Sequence, residues 1–299
     1  MKSFMNLYKK FSFCGKILLF ISLLLIALFT FNSLKKKEGY QQMDNFLFKQ
    51  GPEIYDDFYA DIYDHLVFNQ LKNDYEFGQI MEYTNPTTKS IILDIGCGTG
   101  NQVAKLSDAN LNVIGIDISP SMISKAKEKF PLLNFKLADA REGNIFNHNF
   151  THILCMHFTI YCFQDKQQFF YNCINWLMPG GYLVVHVVDK EKFEPILNEN
   201  PLYIVSPDKY ISKQLNKTKS KIDSFNYSST FDFDKQSNLV TFHEKFEFEN
   251  GKVRKQEHKL YMDTDIVERA KIAGFIVQGK IDLVNCGYDN QFLYIFMKV

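Results

Sequence analysis

The six cysteines of this 299-residue chain (Cys14, Cys97, Cys155, Cys162, Cys173, Cys286) include no C-x-x-C pair. That removes the usual spacing of a zinc site. Most of them sit in apolar segments, which points to reduced, buried thiols rather than a disulfide framework. Charge of one sign is not in excess either: 34 Lys and Arg balance 34 Asp and Glu, so there is no global electrostatic case for a nucleic-acid partner. Two common phosphate-binding loops are missing as well. The third glycine of a G-x-G-x-x-G turn would fall where Asn101 stands, and no lysine follows Gly100 as a P-loop requires. What is plentiful is apolar content, 46% of residues, enough for one large α/β domain with an insertion or for two small domains.

Long apolar runs are scarce, with one exception. Residues 17–31 are apolar apart from Ser22 and Thr30, with Lys16 before them and Lys35, Lys36 and Lys37 shortly after. As a helix, residues 17–34 would rise about 27 Å, just enough to cross a bilayer core, and Lys16 could snorkel. A cleaved signal peptide is the competing reading, but no small-x-small site follows the run. The expectation is an uncleaved anchor within residues 1–40 (helix about 16–34). Its orientation is weakly specified, because lysines flank both ends. A polar linker leads into residues 41–299. There Tyr55, Phe58, Tyr59, Ile62, Tyr63 and Leu66 recur at helical spacing and predict an amphipathic entry helix over about 52–84.

The chain is organised around residues 91–101, IILDIGCGTGN. Buried-strand residues run into three glycines at alternate positions, followed by a helical pattern, which reads as strand, tight turn and helix start. Asp94-x-Gly96-x-Gly98-x-Gly100 resembles motif I of the class I S-adenosylmethionine-dependent methyltransferases. The next strand ends in Asp117, 23 residues after Asp94, close to the roughly 20 expected of an acid that grips ribose hydroxyls. A carboxylate can accept both hydrogen bonds of a cis-diol. Helix capping, the other common role of such an acid, already falls to Ser119 and Pro120. A third strand ends near Asp139-Ala140, where the acid is either a turn former or a cofactor contact. A fourth runs from Phe150 to Met156, and a Leu177-x-Pro-Gly-Gly turn precedes a fifth.

This series is similar to that family from residue 91 to residue 188. The resemblance implies a Rossmann-like α/β sheet of seven strands, strand seven antiparallel, with S-adenosyl-L-methionine as cofactor. It further implies that Asp94, Gly96, Cys97, Gly98 and Gly100 hold the amino-acid end, that Asp117 holds the ribose, and that Ile118, Met122, Asp139, Ala140 and Met156 surround the adenine and its approach. The residues Tyr55 to Asp64 resemble the entry helix that small-molecule methyltransferases close over the cofactor, which makes Tyr55 a cofactor or substrate contact, with Tyr59 and Tyr63 behind it. The Asn/Asp-Pro-Pro-Tyr of nucleic-acid and glutamine amino-methylating enzymes is replaced by Cys155-Met156-His157-Phe158, so that chemistry is not expected. Candidate bases are His157 and Tyr161, while His186 reads as a core histidine.

In the carboxyl third, a capped helix ending at Gly274 and two final strands complete the expected sheet. Residues 190–262 are then an insertion. Alternating aromatics (Phe225, Tyr227, Phe231, Phe233; Phe242, Phe246, Phe248) flank Asn250-Gly251, a type I′ hairpin signal that would pair Glu249 with Lys252 and Glu247 with Arg254. An antiparallel sheet over the active-site mouth follows, as enzymes of small molecules often carry. Lys209, Lys213, Lys217, Lys219 and Lys221, with no acid between them, read as a solvated loop or as a phosphate or anionic-lipid contact. The expected function is direct, in-line methyl transfer to a small-molecule amine or hydroxyl. The alternatives are a lipid or membrane-associated acceptor, or a non-catalytic scaffold. The expected location is a single-pass membrane protein with its catalytic part in the cytosol.

Overall fold

The computed structural model describes residues 45–147, 149–192, 225–234 and 237–299, the backbone of 217–222, and Ser12 and Lys16. The predicted span 17–34, the linker before residue 45, and Lys209 and Lys213 lie outside the described residues. Among the described residues, no helix is long and apolar enough to cross a membrane.

In chain order the elements are β1 (Phe46–Gln50), α1 (Asp57–Val67), α2 (Gln70–Thr84), β2 (Ile91–Ile95), α3 (Asn101–Asp108), β3 (Asn112–Asp117), α4 (Pro120–Lys129), β4 (Asn134–Leu137), β5 (Phe150–Cys155), α5 (Lys166–Trp176), β6 (Leu177–Val188), β7 (Lys217–Ile222), β8 (Phe225–Phe233), β9 (Leu239–Phe248), β10 (Val253–Tyr261), α6 (Ile266–Ile272), β11 (Phe275–Asp282) and β12 (Gln291–Lys298). Seven strands form one sheet in the order β11-β12-β6-β5-β2-β3-β4. Its central strands are parallel, and β12 runs antiparallel to both β6 and β11. This is the expected doubly covered α/β sheet. Both faces of the central strands are buried, which is why they read as near-continuous apolar runs: Ile92 and Leu93 lie against opposite core clusters. The turn at Pro179-Gly180-Gly181 breaks the β5–β6 register between Phe150↔Leu177 and His152↔Tyr182.

A second sheet has the order β1-β10-β9-β8-β7. Its outer strand β1, parallel to β10, comes from before the entry segment and has no counterpart in the sequence expectation. The entry segment itself is two helices, not one. They break at Phe68-Asn69, where the Asn69 side chain accepts from the Lys72 amide at 2.8 Å and starts α2 anew.

The expected β9–β10 hairpin forms, but the type I′ turn does not. Gly251 N donates to Phe248 O at 3.0 Å and Phe248 N to Lys252 O at 2.9 Å. Only Gly251, at φ +80°, is left-handed. The loop therefore has three residues, and Glu247 faces Val253 while Arg254 faces Phe246. That one-residue difference from the expected register turns Arg254 to the opposite face. There it is buried among Asp56 Oδ1 and Oδ2 (2.8 Å each), Ile54 O (2.8 Å) and Gln256 Oε1 (2.8 Å), its guanidinium over the Phe58 ring. Burying an arginine with its fork satisfied outweighs a surface pair with Glu247. The consequence is architectural, since Asp56 is also the N-cap of α1, accepting from Tyr59 N at 3.1 Å. Arg254 thus pins the start of the entry helix to the second sheet.

Candidate active site

The glycine turn after β2 is shaped by what it must avoid. Gly96 has φ +69°, and a Cβ there would lie 2.7 Å from Thr159 Cγ2. Gly98 has φ +53°, with the Tyr63 ring 3.4 Å from a Cβ. Gly100 is bare for a different reason, because a Cβ would meet Phe135 at 2.7 Å. The first two glycines therefore open the turn toward ligand space, and the third packs α3 on the sheet.

Helix α1 closes on this turn. Asp64 accepts from Thr99 Oγ1 (2.5 Å), Asn101 Nδ2 (2.9 Å) and Lys129 Nζ (2.5 Å). Ser119 caps α4 by accepting from Met122 N at 3.1 Å and donates its own hydroxyl to Tyr55 O at 2.5 Å. The second sheet is fastened from the other side. Lys166, buried, donates to Phe163 O (2.8 Å), Tyr261 O (2.5 Å) and Asp263 Oδ2 (2.9 Å), which ties the loop after β5 to the end of β10.

Two neighbouring spaces result. The larger, about 470 Å³, lies between the carboxyl ends of β2, β3 and β4 and the second sheet. That volume is within the usual range for a small-molecule or cofactor site. Tyr55, Gly96, Gly98, Asp117, Ile118, Met122, Asp139 and Ala140 line it on the strand side, and Thr159, Cys162, Phe163, His258, Leu260 and Tyr261 on the other. The smaller, about 50 Å³, lies behind the glycine turn and is lined by Tyr63, Asn73, Glu76, Asp94, Cys97, Gln102, Met156 and His157, among others. Tyr63, Gly96 and Gly98 border both.

The electrostatics divide the same way. Burial, aided by Asp117, pushes the Asp94 carboxyl up to about 8. Gln102 Nε2 is buried with no hydrogen-bond partner. A buried acid seeking a cation and a free amide donor, beside a bare backbone turn, suit a zwitterionic amino-acid group. Asp117 accepts from Gly98 N at 3.0 Å and Ser119 N at 2.8 Å. Burial nevertheless raises it above the ordinary carboxyl range, so a diol donating to it would relieve the cost. Asp139 lines the same space, ion-paired with Arg141, whose hydrogen bonds hold its carboxyl low. The residues present fit a bound S-adenosylmethionine.

The two candidate bases lie elsewhere. His157, at φ +49°, borders the small space, and its Nδ1 is 3.3 Å from Lys72 Nζ. Burial, the Lys72 charge and His186 hold it well below the usual histidine range, so its free lone pair faces an ammonium rather than an acceptor. Tyr161 is in the core, accepting from Val188 N at 2.9 Å. Neither lines the large space. His186 is a core histidine as expected, bonded to His157 O and, at 3.0 Å, to Gln291 Oε1. Reading the sequence missed His258 and Glu244, which sit on β10 and β9. Their signal was alternation: Glu244 interrupts the apolar face of β9 between Val240 and Phe246, and Gln256 and His258 alternate in step with Arg254 and Leu260 on β10.

Comparison with known proteins agrees with the geometry. Residues 92–181 match the methyltransferase domain family. A putative methyltransferase of Invertebrate iridescent virus 6 is 30% identical over 48% of this chain and 49% of its own length. The chain spans about half the length of the curated relatives it matches first. An S-adenosylmethionine-dependent methyltransferase from Clostridium acetobutylicum superposes with a TM-score of 0.62 at 23% identity, covering 80% of this chain and 97% of that one. The sugar N-methyltransferase KedS8 from Streptoalloteichus gives 0.59 at 16%, covering 80% and 92%. The domain and fold are those of S-adenosylmethionine-dependent methyltransferases, and S-adenosylmethionine is the cofactor they use.

Proposed function

We propose, from a chain with the domain and fold of S-adenosylmethionine-dependent methyltransferases, that this protein moves the cofactor's methyl group directly onto a small-molecule acceptor enclosed under the second sheet. The observation that carries this reading is the single 470 Å³ space. It joins Asp117 and the glycine turn on one wall to His258, Tyr261 and Cys162 on the other. When bound, the cofactor supplies an electrophilic methyl on a sulfonium. The chain's part is to hold, align and dry the reactants. Asp117 holds the nucleoside, Asp94 beside the Gly96–Gly98 turn balances the ammonium, and Tyr55 with the roof from β10 excludes water and sizes the acceptor. Such a roof suits a small acceptor, as a polymer would need an open mouth.

The test is calorimetric titration of S-adenosylmethionine into the full chain, followed by transfer of labelled methyl. Micromolar binding abolished by Asp117→Ala supports the reading, and a chain that does not bind the cofactor refutes it.

A specific observation favours a setting at a membrane. Strand β1 is the outer edge of the second sheet and begins about ten residues after the predicted anchor, and Phe46, Leu47 and Phe48 are all exposed there. Among the described residues nothing covers this edge, and three adjacent apolar side chains there are costly in water. We infer that the anchor holds the catalytic part on the cytosolic face of a membrane with this edge toward the lipid. Co-flotation with liposomes tests it.

A further inference from the structure

The second sheet carries a buried polar cluster that its role as a roof does not require. Glu244, on β9, is almost fully enclosed and receives four partners. Tyr59 Oη (2.9 Å), Gln256 Nε2 (2.5 Å) and His258 Nε2 (2.6 Å) reach Oε2, and Tyr227 Oη (2.6 Å) reaches Oε1. Burial alone would raise this carboxyl. The hydrogen bond and charge of His258, with Tyr227 and Gln256, outweigh that and hold it below the usual range. An ionised carboxylate only accepts, so Nε2 of His258 carries a proton toward Glu244, and in the neutral ring the lone pair is on Nδ1. Nδ1 lies 3.4 Å from Tyr55 Oη, and both residues line the large space. A buried carboxylate that fixes one ring nitrogen while the other borders a substrate cavity is the arrangement of a proton acceptor.

We propose that His258 Nδ1 takes the proton of a hydroxyl acceptor during methyl transfer, with Glu244 as the positioning residue that sets its tautomer. This rests on the methyl-transfer reading above and narrows it to an acceptor that must lose a proton. A lone pair on the acceptor oxygen forms the new O–C bond as the S–C bond breaks. The S–C electron pair stays on sulfur, turning the sulfonium into a thioether. The O–H pair stays on oxygen while the proton passes to Nδ1, leaving an imidazolium against the Glu244 carboxylate. An acceptor that is already a carboxylate needs none of this. The titratable groups around His258 are Glu244 and Tyr227 from the second sheet, Tyr55 and Tyr59 from the entry segment, and Cys162 beyond Tyr55.

The full chain is tested with methyl-labelled S-adenosylmethionine and three hydroxyl probes (a catechol, a quinol and a hexose), with a dicarboxylate as control. The expected result is an ether product from at least one hydroxyl probe. His258→Asn lowers its kcat at least about a hundredfold, within the usual contribution of a general base, and leaves cofactor binding by calorimetry unchanged. His258→Gln, which keeps an amide at the site, behaves the same. Glu244→Gln lowers kcat for the hydroxyl probe about tenfold while its KM and the cofactor affinity stay unchanged; a merely structural Glu244 would move all three. Full ether formation by His258→Asn overturns the proposal, as does a cofactor-binding chain that methylates only the dicarboxylate or no hydroxyl probe. A chain that binds no cofactor overturns the methyl-transfer reading itself, and this proposal with it.

Discussion

At the residue scale the site depends on two acids whose ionisation is costly until a ligand arrives. Asp94 is buried beside Asp117 and raised to about 8, against an unfolded carboxyl near 3.8. Between those values the folded chain binds more protons than the unfolded one, so stability falls as pH rises from about 4 to 8, at up to about 1.4 kcal/mol per pH unit. Asp94→Asn should flatten that slope and raise the neutral-pH Tm of the ligand-free protein, which a thermal-melt series across pH reads directly. If the acid meets the cofactor's ammonium, binding at pH 7 should release close to one proton in the wild type and none in the variant. Titrations in buffers of different ionisation enthalpy count it. Gly96 is constrained by space. Gly96→Ala, at φ +69° and 2.7 Å from Thr159 Cγ2, should weaken cofactor binding or stability by about 1–3 kcal/mol. Removing Thr159 Cγ2 and Oγ1 by Thr159→Ala in the same chain should recover part of it.

At the scale of elements, the roof and the entry helix act as one unit because Arg254 joins β10 to the N-cap of α1. Arg254→Met leaves Asp56, among the described residues, with Lys49 as its remaining charge partner, at 3.1 Å. A loss of about 3–5 kcal/mol is expected, read as a lower denaturation midpoint. Double replacement with Asp56→Leu should cost less than the single change, since no half of the pair is left uncompensated. The hairpin that delivers Arg254 shows how a local signal can be right in kind and wrong in register. Asn250-Gly251 does mark the turn, but one left-handed residue was enough. Which face Arg254 took was decided by Asp56, 198 residues away in sequence.

For the whole molecule, the predicted span and the apolar edge of β1 lead to one expectation: the full chain should co-float with liposomes. Introducing charge at Phe46 and Phe48 (both to Glu) should weaken flotation of a chain lacking residues 1–40 while leaving cofactor affinity within about twofold. The sequence by itself determined the α/β sheet, its glycine turn, and the acids at the ends of β2 and β3. These rest on short-range signals, strand runs broken by glycine at fixed intervals, which neighbouring residues impose on one another. It also placed an alternating aromatic sheet over the mouth. It did not reveal β1, whose pairing with β10 spans about two hundred residues, nor the break between α1 and α2. The candidate bases it pointed to, His157 and Tyr161, sit near the right strand end, yet the fold turns one toward Lys72 and the other into the core. Only tertiary structure brought Tyr55 and His258 to the same cavity, with Glu244 behind His258. No local pattern specifies that meeting, because the three residues come from separate strands and a distant loop, and their closeness is a property of packing alone.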